Sequence, residues 1–401
     1  VSDRLDKVLE EHHRFSPGQA GFRHREECPT QIACLYEACR RRMLRDEDTY
    51  LMFVDLEKAY DTVPHEGLFR KLELQGVRGR MLTFLRSVYA CSRICVRSGD
   101  APFQFSKSFP LERGLRQGCP ASPILFNVFI NDVLDGMPHG ATVEIRDGES
   151  VCIPGLLYAD DLVLLANTPE ELQAMADQLT RWLSCNEMKA GIAKCAVMHV
   201  PRLSGTPGDH PRFRWTLSGQ AVVEVGEYTY LGVNFRADWD IPKMVVDRCE
   251  KGRRLSHILQ PYLYSRTIPV HMKMAVIRAV LVPVLLYGAE IYGMNKSITG
   301  KMQSFLTGAL KAVVGLSQSS RTGLVSLWRE LKMPPICALA AGRRARALVK
   351  CRSLRTWVSR LAGMEFRAKR KTWMTLARQW CRTHIPRLVQ RCLIDGDDVP
   401  L

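Results

Sequence analysis

Two short apolar runs, Leu156-Leu-Tyr158 and Leu162-Val-Leu-Leu165, are joined by nothing more than Ala159-Asp160-Asp161. Apolar runs of this length, bounded by a turn signal, read as buried strands. The segment is therefore a hairpin with two adjacent carboxylates at its tip. Its strands belong in a covered sheet, yet the tip carries charges that repel one another and gain nothing from packing. A divalent cation would remove that penalty, and oxygen-rich sites are what magnesium selects. A solvated turn is the plainer alternative, since Asp is common in turns.

A second acidic strand end lies upstream, where the apolar run Tyr50–Leu56 ends in charge at Asp55 and Glu57. If this strand pairs beside the hairpin, Asp55 faces Asp160 and Asp161. Three carboxylates on one edge can hold two cations roughly 3.5–4 Å apart, as in-line phosphoryl transfer requires. One ion would lower the pKa of an attacking hydroxyl, and the other would clamp a triphosphate and its leaving pyrophosphate.

The rest of the chain is mixed to about residue 236 and helical beyond it, an α+β class. Helices are expected over Val1–Glu11, from Thr30 as N-cap to Leu44, from Pro64 through Leu74, and over Pro123–Val133. Another starts at Thr168 and carries Leu172, Met175, Leu179 and Leu183 on one face. Strand pairs are expected at Ile94–Val96 with Phe103–Phe105, around Ser98-Gly99-Asp100, and at Val143–Arg146 with Val151–Ile153, around Asp147-Gly148. Further strands are expected at Phe213–Leu217, Ala221–Val225 and Tyr228–Val233, followed by helices from Pro242 to about Val389 with breaks at Pro283 and Pro334-Pro335.

The net charge of +16 points to a polyanion, either nucleic acid or an acidic membrane. Spanning a membrane needs about 20 apolar residues. The longest uncharged apolar stretch, Ala279 to Ala289, is shorter and interrupted by Pro283. The charge is concentrated between Ala341 and Arg391, where fifteen Lys or Arg face a single acid, Glu365. Arg343, Arg344, Arg346, Lys369, Arg370 and Lys371 are the expected nucleic-acid contacts there, with most of Trp357, Phe366, Trp373 and Trp380 in the core. A merely solvated basic face is the alternative. Fourteen cysteines without a CxxC pair read as reduced, buried thiols of an intracellular protein. Cys381, His384 and Cys392 form an incomplete zinc set, because Arg378 stands where a Cys-x2-Cys partner belongs. A charged start without Met is expected of a fragment or processed chain that lacks a signal peptide.

The segments Phe53–Asp61, Gly114-Leu-Arg-Gln117-Gly118-Cys-Pro120-Ala-Ser-Pro123-Ile-Leu-Phe126-Asn127 and Tyr158-Ala-Asp-Asp161 resemble successive motifs of reverse transcriptases. Those of non-LTR (LINE-like) retrotransposons are the most similar. Gln19-Ala-Gly21-Phe22-Arg23 resembles their fingers motif, and Lys194 the lysine of the next palm motif. Tyr230-Leu231-Gly232 resembles the primer grip, and Leu285-Leu-Tyr-Gly-Ala-Glu290 a thumb segment.

The resemblance implies a right-hand polymerase: partial fingers over 1–50, a palm with remaining fingers elements over 51–236, an all-α thumb over 237–330 and a basic helical region over 331–401. It implies an RNA-directed DNA polymerase that uses an RNA template, a DNA primer, dNTPs and two Mg2+ ions, and works in the nucleus. Asp55 and Asp160 would hold both ions, with Asp161 in support and the Leu56 carbonyl as a further ligand. Tyr60 would lie beneath the incoming sugar and exclude a 2′-hydroxyl. Gln117 and Gly118 would meet the nucleotide, Arg23 its triphosphate, and Lys194 the leaving pyrophosphate, while Tyr230, Leu231 and Gly232 would hold the primer.

Three departures bear on this reading. The chain starts after the family's first fingers motif, so an N-terminally truncated member is expected. Gly191 stands where the Lys194 motif commonly has Asn, and no endonuclease or complete zinc knuckle follows. RNA-dependent RNA polymerases place Asp where this chain has Tyr60, which counts against that class. A non-catalytic nucleic-acid-binding remnant and a group II intron maturase-like enzyme are the remaining alternatives.

Overall fold

The strand Thr49–Val54 is buried along its whole length, because it lies between two cores. Met52 and Val54 join Leu162, Leu164 and the faces of two helices, Ser122–Ile130 and Pro169–Cys185. Leu51 and Phe53 join Val163, Leu165 and the helix Cys28–Leu44 on the other side. A strand covered on both faces reads as an unbroken apolar run. Each large side chain so buried contributes about 1.5–3 kcal/mol relative to exposure.

The computed structural model describes residues 2–386, apart from 100–102, 147, 207–212, 294–295, 322, 364–365 and 369. Thr49–Val54 pairs antiparallel with Asp161–Ala166 on one side and with Ala196–Val200 on the other. Gly155–Tyr158 and Val223–Glu224 form the outer strands of this five-stranded sheet. The register sets Val54 opposite Leu162 and Tyr158 opposite Asp161, which brings the end of the central strand beside the tip of the hairpin.

The strand Ala196–Val200 carries no sequence expectation of its own, because His199 interrupts its apolar pattern. His199 is buried and its Nε2 lies 3.0 Å from Asp48 Oδ1. The helix Gly79–Ala90 also goes unmarked in the sequence pattern. The helix expected from Thr30 begins at Cys28; Thr30 lies inside its first turn and donates its hydroxyl back to Glu27 O at 2.7 Å. Thr168 caps its helix as expected, accepting from Glu171 N.

The expected pair around Ser98-Gly99 is two short exposed ribbons, Arg93–Ile94 with Phe109–Pro110 and Arg97–Ser98 with Gln104–Phe105; Asp100 lies outside the described residues. The hairpin Ala141–Arg146 with Glu149–Ile153 forms as expected, and Asp147 at its turn is likewise outside.

From Ile241 onward the described chain is helical; residues from Val245 to Ala340 have a core of their own, while Leu348, Val358 and Trp373 pack into the core beneath Cys28–Leu44. Pro283 does not break it. A wider π-type turn over Ile277–Leu281 leads into Val282–Leu285, which absorbs the missing N–H of the proline. Pro335 does mark a boundary, as the residue before the helix Ile336–Arg352. Among the described residues no helix is long and apolar enough to cross a membrane. Their cysteines are free, but Cys91, Cys95, Cys152 and Cys185 are exposed, so burial does not extend to all of them.

Candidate active site

Asp55 is the first residue past the central strand, and its backbone is stitched to the turn before Ala196–Val200. Gly191 N donates to Asp55 O at 2.8 Å, and Glu57 N to Lys189 O at 2.9 Å. The carboxylate of Asp55 faces Lys194, whose Nζ lies 3.4 Å from Oδ2. A Cβ at position 191 would lie 2.8 Å from the same oxygen. Gly191, the departure from the family pattern, is thus what gives Asp55 its room.

Asp160 and Asp161 occupy the tip of the hairpin, after Ala159 in the left-handed region at φ +58°. Neither has an ion-pair partner among the described residues. Partial burial, helped by the Asp55 charge, raises the pKa of Asp160. The same burial, followed by the charges of Asp160 and Asp55, pushes Asp161 up to about 6. Positive charge is what this edge lacks. Its donors are hard oxygens, so the chemistry of the set fits a divalent cation. The side chains do not close on one as they stand: among the described residues no three carboxylate, thiol or imidazole groups form a ready cation site.

Tyr60 follows on a short helical turn, its ring stacked on Phe126 with centroids 4.6 Å apart. Its buried hydroxyl makes no hydrogen bond, and burial together with Asp160 pushes its pKa up to about 12. The backbone joins this turn to the Gly114–Gly118 loop, since Leu115 N donates to Tyr60 O at 2.8 Å. Gln117 is exposed and donates to Asp61 Oδ1 at 2.9 Å. Gly118 has φ +80° and open space around it.

Three expected contacts are corrected here. Arg23 is buried, bonded by Nε and Nη2 to Glu10 and by Nη1 to Ser16 O and Gln19 O. Its guanidinium is committed, so it does not meet a triphosphate. The Tyr230 side chain is buried against Phe53 and Phe235, out of reach of a primer. Leu231 and Gly232 form the turn at the tip of the Glu227–Tyr230/Val233–Arg236 hairpin, with φ +45° and +77°. Tyr287 donates to Leu231 O at 2.7 Å, and Arg248 donates to Gly232 O. Arg344 is buried and donates to Gly293 O and Trp373 O, so it is no surface cation.

The neighbours of Arg344 are more open. Arg343 is half-buried and donates to Leu286 O at 3.1 Å. Arg346, Arg370 and Lys371 are exposed, while Lys369 and Cys392 lie outside the described residues. Phe366 and Trp373 are core, as expected, and Trp357 and Trp380 are half-buried.

Sequence reasoning missed Tyr228 and Gln19. Tyr228 stacks on Phe53 at 4.2 Å and donates to Lys194 O at 3.1 Å, bracing the site from outside. Its place two residues before Tyr230, on the same face of a strand, was the available signal. Gln19 is fully buried and bonds the residue before Asp160.

A family model described as reverse transcriptase (RNA-dependent DNA polymerase) matches residues 1–235. The chain is 26% identical over 275 residues to the Pol polyprotein of the Drosophila melanogaster retrotransposable element R2DM, covering 68% of this chain and 25% of that protein. It is 25% identical over 332 residues to the RNA-directed DNA polymerase of the Drosophila melanogaster mobile element jockey, covering 79% and 34%. It thus spans a quarter to a third of the length of these curated relatives. Among solved structures it is similar to telomerase from Candida albicans in complex with a fragment of telomeric RNA, at 10% identity and TM-score 0.45 over 88% of this chain and 55% of that one.

Proposed function

This chain belongs to the reverse transcriptase family of RNA-dependent DNA polymerases, and we propose that it extends a primer 3′-hydroxyl with deoxynucleotides copied from an RNA template. The observation that carries the proposal is one sheet edge with three acids and too little positive charge. Asp55, Asp160 and Asp161 meet there, and among the described residues only Asp55 has an ion-pair partner. Mg2+ bound there would activate the primer hydroxyl and neutralise the triphosphate. Asp55, Asp160 and Asp161 would hold it, with the Leu56 carbonyl beside them.

The remaining residues do work that needs no ion. The Tyr60 ring, fixed by Phe126, would close the space below the incoming sugar and exclude a 2′-hydroxyl. Gln117 can exchange Asp61 for the nucleotide, and the open backbone at Gly118 allows close approach. Lys194 would leave Asp55 for the departing pyrophosphate, while the turn at Leu231-Gly232 would carry the primer on its backbone. The proposed division is partial fingers over 1–50, palm over 51–236, thumb over 237–330 and a basic region over 331–401. Family membership makes the nucleus the proposed place of action.

The test is primer extension on an RNA template with Mg2+ and dNTPs, beside the Asp160→Ala, Asp161→Ala double variant. Extension by the parent alone supports the reading. Template binding without extension by either would favour a binding remnant.

A further inference from the structure

The loop Gly18–Gly21 lies along the outer strand of the catalytic hairpin and is bonded to it residue by residue. Leu157 N donates to Gly18 O at 2.8 Å and Ala20 N to Leu157 O at 2.9 Å. Beyond this bridge the side chain of Gln19 takes over. Its Oε1 accepts from Ala159 N at 3.1 Å and from Gly21 N at 2.7 Å, and its Nε2 donates to Ala159 O at 3.3 Å. One buried amide therefore holds both backbone polar groups of Ala159.

Ala159 immediately precedes Asp160 and sits in the left-handed region. That conformation costs a residue with a Cβ about 1–2 kcal/mol and persists only where the surroundings enforce it. Gln19 supplies the enforcement, and the loop is built to hold Gln19 still. A Cβ on Gly21 would lie 2.1 Å from Ala159 N, so only glycine permits this approach. Asn127 Nδ2 donates to Gly21 O at 2.7 Å, and Gln31 Nε2 donates to Gly18 O at 2.9 Å and Leu157 O at 3.0 Å. Arg23 secures the loop through Ser16 O and Gln19 O. The segment whose sequence resembles a fingers motif thus lies as a brace behind the catalytic turn.

We propose that Gln19 is a positioning residue whose amide locks the left-handed Ala159 peptide and thereby fixes the direction of the Asp160 carboxylate. The activity readout of this idea rests on the polymerase reading; its metal-binding readout does not.

The test compares Gln19→Ala with the parent chain. Mn2+ binding without nucleotide, followed by electron paramagnetic resonance, reads the carboxylates. Thermal unfolding and the affinity for a labelled primer–template read the fold and the nucleic-acid surface, and single-turnover dNTP incorporation reads the chemistry. Half-saturating Mn2+ is expected to rise, and turnover to fall, by about 10- to 100-fold, as for outer-shell partners of metal ligands. Melting temperature should fall, because the variant strands the buried Ala159 and Gly21 backbone groups at about 1–3 kcal/mol each, while primer–template affinity should hold. Adding Ala159→Gly should recover most of the loss, because glycine takes the left-handed conformation without steric cost.

Unchanged Mn2+ binding overturns the proposal, as does a loss of primer–template affinity as large as the loss of Mn2+ affinity. If Gln19→Ala does not fold, Gln19→Met is read the same way, since it keeps the volume and adds no charge while losing the bonds to Ala159. A parent that binds Mn2+ without extending primers defeats the polymerase reading and leaves the Mn2+ comparison to decide this one. A parent that does not bind Mn2+ overturns both.

Discussion

The sheet edge and the C-terminal helices carry opposite charge and handle it in opposite ways. At the edge, three acids share one nearby lysine, and burial raises two of them above their ordinary value. In the C-terminal helices many cations are already engaged. Arg343, Arg344 and Arg378 donate to backbone carbonyls, Arg355 binds Glu10, and Lys350 binds Glu27. Yet the sequence shows a large excess of charge only in the second region. The abundance of charge is a poor guide to function; the charge left without a partner is a better one.

If that contrast is right, removing acid at the edge should destroy activity without harming the fold. Asp160→Ala is expected to lower primer extension on the order of 10²–10³-fold or more, the scale for losing a main electrostatic element of a transition state. The metal-free protein should melt no lower than the parent, because a repulsion has been removed. A variant that melts well below the parent would make Asp160 a structural residue and dissolve the comparison.

The basic region offers the reverse experiment. Arg344→Ala strands the buried Gly293 carbonyl, at a cost of about 1–3 kcal/mol, and also removes the contact to Trp373 O, and should lower the urea midpoint accordingly. Its exposed neighbour Arg346 should tolerate Ala to within about 0.5 kcal/mol. If Arg346 contacts phosphate, Arg346→Ala should also flatten the salt dependence of RNA affinity, with the log–log slope falling by about 1. Equal stability losses in the two variants would erase the distinction between engaged and free cations.

The same contrast explains what was legible in the sequence. Phe53–Asp55 and Leu156–Leu165 are read directly, because apolar strands that end in acid can be placed in few ways. Arg344 was misread because Arg-rich helices look alike whether a guanidinium faces water or a neighbouring helix end; only the packing of Gly293 and Trp373 decides. Arg23 failed for the same reason, since its partner Glu10 lies on a different element and no local spacing announces the pair. The strand Ala196–Val200 escaped notice because a buried His199, satisfied by Asp48, looks polar in one dimension.

Protons give a smaller and sharper probe of the edge. Asp161 titrates at about 6 in the folded chain against an ordinary 3.8, so the folded state binds this proton more tightly than the unfolded one. Its stabilising effect is complete below 3.8 and is lost as pH rises through 6. In chelator, the parent should lose stability between about pH 4 and 6 relative to Asp161→Asn. The difference between the two isolates this group from Glu26, which also titrates near 6. Metal affinity runs the other way, weakening by about tenfold per pH unit below 6 as the proton competes. A parallel pH profile for the two proteins would mean that Asp161 carries no unusual charge.

Gly191 gives the smallest effect and tests the edge most closely. Its backbone, at φ −79°, suits any residue, so Gly191→Ala should change stability by no more than about 1 kcal/mol, tending to a gain through the unfolded chain. The new Cβ, however, would stand 2.8 Å from Asp55 Oδ2 and push that carboxylate aside by a few tenths of an ångström. A displacement near 1 Å can cost about 100-fold, so a shift this small should lower kcat by about tenfold at most. Primer–template affinity should not move. An Ala variant as active as its parent would show that Asp55 swings clear of position 191 once a cation is bound, and that its contact with Lys194 belongs to the metal-free protein alone.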